Sequence, residues 1–497
     1  MPLSDPHPLY SEMLPAWQKL AHCYEGEDRI KAEGTRYLPA TIGMLRKGGG
    51  SDAVITSTPK AGTEGGVAYE AYKTRARFPD YVTDAVDKLN GLLHREPATI
   101  ELPPQLEAMK EIASVDGESA LALLRRITFH QLREGRYGLL TDIPGGTPSA
   151  TAKPFIAGYV APAIVNWAAI DRRDGTRRPG LVVLDESGFD QGDGMMWSWV
   201  KRYRVLAIDK YLAGLGVEAG DGDIGNPALY HSGETFDSDD VGALDWVVPQ
   251  AADALSEIPF VFVGCNDLAL EPCKPPLTGI ANECLAIYRG EADLRQSLYL
   301  QGQATLVRTG ITDNEDASNE LGAGAVMDLP PNADAKYIGA PSAGISEQRQ
   351  TLDADHARAA TKSTQMLGAK SGQAESGVAL QIRQAGATAS LTQIANTAAE
   401  ALATAFRHAA RFVDADPELV KVEANTEFVQ DIATTQEALQ LWDIVSRGGL
   451  SRESWHRYCQ RHDLTEKGYE EEQELIREDQ QEWPSGAGSQ IDPFAMQ

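Results

Sequence analysis

Residues 276–298 read PLTGIANECLAIYRGEADLRQSL, and this stretch decides the fold of the second half of the chain. Its apolar residues recur at alternating intervals of three and four, with one charged residue, Glu291, in the series. That spacing predicts an amphipathic helix with a narrow apolar seam of the heptad type. A seam this narrow requires a neighbouring helix, which can come from the same chain or from another copy. The seam residues are Leu277, Ile280, Cys284, Ile287, Leu294 and Leu298.

Downstream of this seam, the pattern turns to a short β-like piece and then returns to helix. Residues 304–308 favour a strand, and a Gly/Ala/Pro-rich segment follows. A second helix is predicted over residues 346–367, with Ser346 as its N-cap and many alanines along its length. Residues 368–377 predict a loop, and an Ala/Gln/Thr-rich helix follows over 378–413. The second half is therefore predicted to be helical with one β excursion.

The first half of the chain combines helices with short strands. Residues 9–140 predict helices, interrupted by a Gly-rich insert at 47–66; the third of these helices is predicted from about Ser119 to Arg133 and ended by Gly135. From residue 154 onward, short runs rich in Val, Ile, Tyr and Trp are separated by turn residues. Strands that follow one another without intervening helices predict an antiparallel sheet, so the fold class is α+β. The predicted strands are residues 155–160, 181–184, 197–208, 228–230, 246–248 and 260–263.

Composition and charge exclude several classes of protein. The 497 residues carry a formal net charge of −27, and no run of about 18 apolar residues is present, so we expect no membrane-spanning helix. The five cysteines form no C-x-x-C pair, which argues against a disulfide framework and a paired zinc knuckle. Nothing at the N-terminus indicates secretion. The acidic balance argues against a protein that grips nucleic acid, but not against a surface that DNA slides past.

A search for catalytic and metal-binding patterns predicts neither an active site nor a cofactor. Residues 368–371 lack the spacing of a phosphate-binding loop, and the G-x-S-x-G and H-E-x-x-H signatures are absent. His456, Cys459 and His462 recur every three residues, which turns the first and last side chains apart on a helix. We therefore interpret this string as a polar helix face rather than a metal site.

Two clusters of basic residues lie beside the predicted strands. One comprises residues 172–173 and 177–178, and the other comprises Lys201, Arg202 and Arg204. Phosphate contact is one interpretation. In a chain this acidic, pairing with carboxylates of the same or a neighbouring subunit is favoured.

The order of elements from residue 257 to residue 413 resembles the portal proteins of tailed bacteriophages. It begins at Ser256-Glu257-Ile258-Pro259-Phe260-Val261, passes through two helices with a β excursion between them, and reaches Ser376-Gly377-Val378-Ala379-Leu380, which opens the long helix. Further strings resemble one branch of that family. They are Tyr37-Leu38-Pro39, Tyr69-x-x-Tyr72-x-x-Arg75-Ala76-x-Phe78, Glu134-Gly135-Arg136-Tyr137-Gly138 running to Asp142-x-Pro144, Ile164-Val165-Asn166-Trp167, and Gly302-Gln303-Ala304-Thr305-Leu306-Val307.

The resemblance implies a ring, usually of about twelve copies, at one vertex of the capsid. It implies a wing over residues 1–263 and a first stem helix within 264–302. A clip over 303–345, a second stem helix over 346–367 and a tunnel loop over 368–377 would follow. A long channel helix would then cover 378–413, and an acidic crown with a disordered tail would cover 414–497. The Gly-rich insert has no counterpart in this scheme.

The resemblance also implies partners and site residues. Double-stranded DNA would pass through the channel, the clip would meet the terminase and then the head-completion adaptor, and the ring would meet major capsid and scaffolding proteins. The protein would assemble in the host cytoplasm and reside in the virion. It would have no catalytic residue, metal or cofactor, and no contact with a membrane. The residues expected nearest the DNA are Lys370, Ser371, Gln373 and Glu375, with Lys362 and Arg358 as further cations.

Two alternatives stay open at the level of sequence. One is an acidic intracellular enzyme with an unrecognised site, which requires a concave pocket with convergent titratable groups. The other is a different virion component, such as an adaptor or a minor capsid protein. Adaptors are usually much shorter chains.

Overall fold

The structure is a computed structural model. It describes residues 2–49, 58–143, 153–171, 175–192, 194–208, 211, 230–247, 257–301, 306–309, 326–333, 342–365, 377–426, 428, 435–461, 465 and 467–482. The chain divides into two compact units, Met1–Thr426 and Glu427–Gln497. The first unit therefore extends past residue 413, where the sequence pattern divides the long helix from the crown.

The first unit mixes helices and strands. Its described helices are α1 (Pro8–Glu25), α2 (Glu27–Ala32), α3 (Ile42–Lys47), α4 (Glu64–Arg75), α5 (Tyr81–Leu93), α6 (Ala120–Arg133), α7 (Thr278–Gln301), α8 (Ser342–Gln365) and α9 (Gly377–Phe412). Its described strands are β1 (Thr99–Glu101), β2 (Arg136–Asp142), β3 (Phe155–Val160), β4 (Ile164–Asp171), β5 (Arg177–Asp185), β6 (Gly188–Gln191), β7 (Trp197–Val200), β8 (Tyr203–Ile208), β9 (Tyr230–Glu234), β10 (Asp245–Val247), β11 (Phe260–Gly264), β12 (Leu306–Thr309), β13 (Val326–Leu329) and β14 (Lys421–Glu423).

Two antiparallel sheets organise the first unit. One has five strands in the order β10-β9-β8-β5-β4, and the other has three in the order β11-β2-β3. Two-stranded pairings join β6 to β7 and β1 to β14, again antiparallel, whereas β12 and β13 pair in parallel. The prediction of a mixed α+β fold with antiparallel sheet is confirmed.

The strand predictions omit β1, β2, β4, β6, β13 and β14, and the structure divides one predicted strand in two. Residues 197–208 form two strands, because β7 pairs with β6 while β8 pairs with β5. The break falls where the backbone N–H of Arg202 donates to Ser187 Oγ at 3.1 Å instead of continuing a ladder. The strand β2 was not among the predicted strands, although it is buried along almost its whole length. Only two residues separate β2 from the end of α6, so in the sequence the apolar residues of the strand look like a continuation of the helix.

The main core lies between the three-stranded sheet and two helices, α6 and α9. The face of α9 that meets the sheet is built largely from buried alanines, including Ala398, Ala401, Ala405 and Ala409. Small side chains let the helix approach the sheet closely, and Thr141 Oγ1 donates to the Ala405 carbonyl at 3.1 Å. The opposite face of the same sheet packs on the five-stranded sheet, so β2 is covered on both sides.

The helix α6 begins and ends as its sequence predicts. Ser119 is the N-cap, and its side chain accepts a hydrogen bond from the Ala122 backbone N–H at 3.2 Å. After the helix, Gly135 adopts a φ of 73°, and a Cβ at this position would lie 3.0 Å from Pro275 Cα. A side chain is disfavoured there by both the backbone conformation and the space.

The second unit contains three described helices, α10 (Thr435–Ser446), α11 (Arg452–Arg461) and α12 (Tyr469–Glu482). Aromatic rings join them: Trp455 lies 5.7 Å from Trp442 and 5.6 Å from Tyr458, and His456 meets Tyr469 edge to face. His462 lies outside the described residues. Across both units, no helix in the described part of the chain has the length and apolarity needed to span a bilayer.

Candidate functional site: a helical hairpin and its anchor

The helices α7 and α8 form an antiparallel pair. Lys362 Nζ donates to Glu283 Oε1 at 2.6 Å, and Leu352 lies against Gly290. The later contact on α7 is thus made by the earlier residue of α8, so the two helices run in opposite directions. Ile287 and Leu294 of α7 pack with Leu352 of α8 in one apolar cluster. The helix α8 begins at Ser342, so Ser346 lies inside its first turns and is not the N-cap that the sequence predicts.

The apolar seam of α7 is covered mainly by helices of the same chain. Five of its six residues are at most 7% exposed, and α7 packs on α1, α4 and α5 as well as on α8. The exception is Leu298, which is 40% exposed near the end of the helix. Glu291, the charged residue in the series, pairs with Arg295 one turn later. The neighbour that the narrow seam requires is thus intramolecular for most of its length.

Tyr72 and Arg75 of α4 contact the C-terminal part of α7. Tyr72 Oη donates to Asp293 Oδ1 at 2.6 Å, and burial, together with this carboxylate, raises the pKa of Tyr72, so the phenol keeps its proton. Arg75 hydrogen-bonds Gln296, and its guanidinium lies 4.0 Å from the ring centroid of Tyr299. The motif that carries part of the resemblance therefore anchors the helical pair to the N-terminal helices.

The same motif also joins the N-terminal segments to one another. Tyr69 Oη donates to the Leu38 carbonyl at 2.8 Å, and Arg289 Nε of α7 donates to the neighbouring Tyr37 carbonyl at 2.9 Å. Phe78 meets Tyr288 edge to face at 6.0 Å. Residues 37–39 and 69–78, which are distant in sequence from α7, thus converge on it.

A second anchor lies at the base of α7, around the string that begins at Glu134. His130 stacks on Tyr137 at 4.5 Å and hydrogen-bonds Glu134 at 2.8 Å. The side chain of Arg136 is buried beneath Trp167 and Phe262, with its guanidinium 4.3 and 4.7 Å from their ring centroids. Arg136 Nη1 also donates to the Leu270 carbonyl at 2.7 Å, which ties the loop between β11 and α7 to this cluster.

The cations expected to face DNA are neutralised where the structure describes them. Lys362 pairs with Glu283, and Arg358 pairs with Asp355 one turn earlier on α8. Lys370, Ser371, Gln373 and Glu375 lie outside the described residues. Both described cations of this set are therefore paired with carboxylates of the same chain.

The strands β12 and β13 lie between α7 and α8 in sequence. Arg308 of β12 makes two hydrogen bonds to Asp328 of β13, at 2.7 and 2.9 Å. Asp328 is buried, so the bidentate pair joins the two strands through a largely desolvated carboxylate. The sequence predicted a strand near β12 but not β13.

The basic clusters beside the strands pair with carboxylates of the same chain, as predicted. Arg204 Nε lies 2.7 Å from Glu186 Oε1, and Lys201 Nζ lies 3.2 Å from Asp239 Oδ2. Further pairs are Arg202 with Asp190, Arg177 with Asp171 and Arg178 with Glu257, whereas Arg172 and Arg173 lie outside the described residues.

Among the described residues of the first unit, exposed apolar side chains lie together at the following two places. The first is the end of α7, where Leu298, Tyr299 and Leu300 are exposed. The second is the β6–β7 hairpin, in which Phe189 pairs directly with Trp199 and meets it edge to face at 5.1 Å. Trp197 and Trp199 are 63% and 59% exposed, and Met195 and Met196 in the turn are more so. Contiguous apolar surface of this kind marks an interaction site more often than scattered single residues do.

Residues 276–413 match a family described as a domain of unknown function, DUF4055. The matched region begins just before α7 and ends just after α9, so it covers the helical pair, the strands between its helices and the long helix. No curated protein matches the chain.

Proposed function

We propose that this chain is a bacteriophage portal protein, a ring at one capsid vertex through which double-stranded DNA enters and leaves. The observation that carries the proposal is the helical pair α7–α8 with a β excursion between its helices, followed by the long helix α9. This is the order of stem, clip and channel helix in portal proteins, and the motifs that resemble that family converge on its anchor.

In this proposal the α7–α8 pair is the stem, β12 and β13 belong to the clip, and residues 368–377 are the tunnel loop. The helices and sheets before α7 are the wing, and the second unit is the crown. The terminase and then the head-completion adaptor dock at the clip, and the ring contacts major capsid and scaffolding proteins. The chain itself catalyses no reaction, because the packaging ATPase is the separate terminase.

Two physical features support a ring of copies. The exposed end of α7 and the β6–β7 hairpin give each copy apolar surface that a neighbouring copy covers. The net charge of −27 per chain, repeated around a ring, repels the phosphates of DNA from the channel wall, so the DNA slides rather than sticks.

The mass of the purified chain tests the proposal. Native mass spectrometry or light scattering should give a closed ring of about a dozen subunits, because heterologous interfaces that close give cyclic symmetry. Negative-stain images along the axis should show a central hole. A monomer or dimer at every protein and salt concentration would contradict the proposal.

A further inference from the structure

Two cysteine side chains meet in the loop between β11 and α7. The backbone N–H of Cys265 donates to Cys273 Sγ at 3.3 Å, which brings the two side chains together. Each sulfur also faces a carbonyl at the end of α6. The Cys265 thiol donates to the Gln131 carbonyl at 3.3 Å, and the Cys273 thiol donates to the Gly135 carbonyl at 3.0 Å and must lose this bond to become a thiolate. Cys265 is buried, whereas Cys273 is partly accessible.

A buried cation lies beside this pair. The guanidinium of Arg136 donates through Nη1 to the Leu270 carbonyl of the same loop at 2.7 Å, while its Nε and Nη2 have no hydrogen-bond partner among the described residues. Burial lowers the pKa of Arg136 to about 9, and the charge of Cys273 acts against that effect. A buried guanidinium with unpaired N–H groups is stabilised by a nearby anion, and the thiolate form of Cys273 would be such an anion.

The two sulfurs are not equivalent. Hydrogen bonds from the Cys265 thiol and backbone N–H lower the pKa of Cys273, although burial and the carboxylate of Asp267 oppose the change. The pKa of Cys265 is raised, first by its hydrogen bond to Cys273 and then by burial. The accessible sulfur is thus the better nucleophile, and the buried sulfur stays protonated until the first reacts.

We propose that Cys273 and Cys265 form a redox-active dithiol, in which Cys273 attacks an oxidant and Cys265 resolves the product. With a low-molecular-weight disulfide as oxidant, the Cys273 thiolate attacks one sulfur and expels the other as a thiolate, which leaves a mixed disulfide on Cys273. Cys265 then loses its proton and attacks Cys273 Sγ, which expels the second small thiol. The two protein thiols are oxidised to one disulfide, and the oxidant is reduced to two thiols.

The other cysteines lack this arrangement. Burial raises the pKa of both Cys23 and Cys284 to about 12, so they are inert. Cys459 is partly accessible, but burial raises its pKa as well. It is therefore the matched control, an accessible thiol on which the described residues act through burial and the carboxylate of Glu472. A disulfide between Cys265 and Cys273 would close the loop that leads into α7.

Oxidised glutathione and peptide mapping test the proposal on the full chain. At pH 7 the wild-type protein should form the Cys265–Cys273 disulfide. The C265S variant should stop at a glutathione adduct on Cys273, and C273S should leave Cys265 unmodified. The C459S variant should behave as wild type. A glutathione adduct that forms first on Cys265 or Cys459, or no disulfide under conditions that modify Cys459, would overturn the proposal.

A second measurement avoids substitutions at the pair. In the wild-type protein, iodoacetamide should alkylate Cys273 at least about tenfold faster than Cys459 at pH 6.5, because only the thiolate reacts. The ionisable groups facing Cys273 in this profile include Cys265, Asp267 and Arg136. Equal rates for the two cysteines would show that Cys273 is an ordinary thiol.

Discussion

Replacing Leu298 by Asp separates assembly of the proposed ring from folding of the subunit. Leu298 is 40% exposed at the end of α7, so the folded chain already buries more than half of it. Full burial of a leucine stabilises by about 1.5–3 kcal/mol, which leaves roughly 1 kcal/mol for a contact with a neighbouring copy. An aspartate loses that contribution and adds the cost of desolvating a carboxylate, so we expect each interface to weaken by about 3 kcal/mol. This corresponds to more than about a hundredfold in the dissociation constant.

The matched change is Leu294→Ala, one turn earlier on the same seam. Leu294 is 7% exposed and packs against Ile287 and Leu352, so its truncation should cost about 3 kcal/mol of folding stability. Light scattering over a range of concentrations should therefore show loss of the ring for Leu298→Asp with little change in Tm. Leu294→Ala should show a lowered Tm instead. Conservative Leu298→Met should keep the ring. A Leu298→Asp ring as stable as the wild type would refute the placement of this helix end between copies.

Two further predictions concern the pH dependence of stability and the aromatic hairpin. Burial lowers the pKa of His94 to about 4, so the unfolded chain takes up a proton first as the pH falls below its ordinary value of 6.5. Stability should therefore fall between pH 6.5 and 4 by about 2 kcal/mol, allowing for partial exposure of the ring. Urea unfolding of His94→Gln should show a shallower dependence on pH, and an unchanged slope would contradict the assignment. Replacing Trp197 and Trp199 together by Ser should change the free energy of unfolding of the subunit by no more than about 1 kcal/mol, because both side chains are mostly exposed. The same variant should weaken the ring, so that its rings dissociate at protein concentrations at which the wild-type ring is still intact. If native mass spectrometry gave the wild-type concentration dependence, the hairpin would not lie between copies.

Helices and strands whose apolar residues recur at a regular spacing, or that turn residues flank, were predictable from the sequence. The apolar positions of α6 repeat at helical spacing between a serine N-cap and a positive-φ glycine, and its bounds agree with the prediction. The strands β3 and β11 were found because turn residues flank them. In contrast, β2 is buried on both faces, so its sequence shows no alternation of apolar and polar residues to recognise.

The sequence did not predict which element packs against each apolar face. The spacing of the α7 seam shows that it packs on a helix, but periodicity contains no information on which helix or which copy. The bond from Tyr72 to Asp293 joins positions 221 residues apart, so no local pattern reveals it. The meeting of Cys265 with Cys273 was missed for another reason: their spacing matches no motif, and only the turn of the loop brings the sulfurs together.

The late position of α9 in the chain has a consequence for the order of folding. The sheet formed by β11, β2 and β3 is largely made before residue 265, but the alanine face that covers it comes from residues 398–410. The strand β1 likewise waits for β14, more than 300 residues later. Such contacts give the unit a high contact order, which slows folding. A nascent chain that has not yet reached residues 398–423 therefore exposes an apolar sheet face, which makes it prone to aggregation and to capture by chaperones.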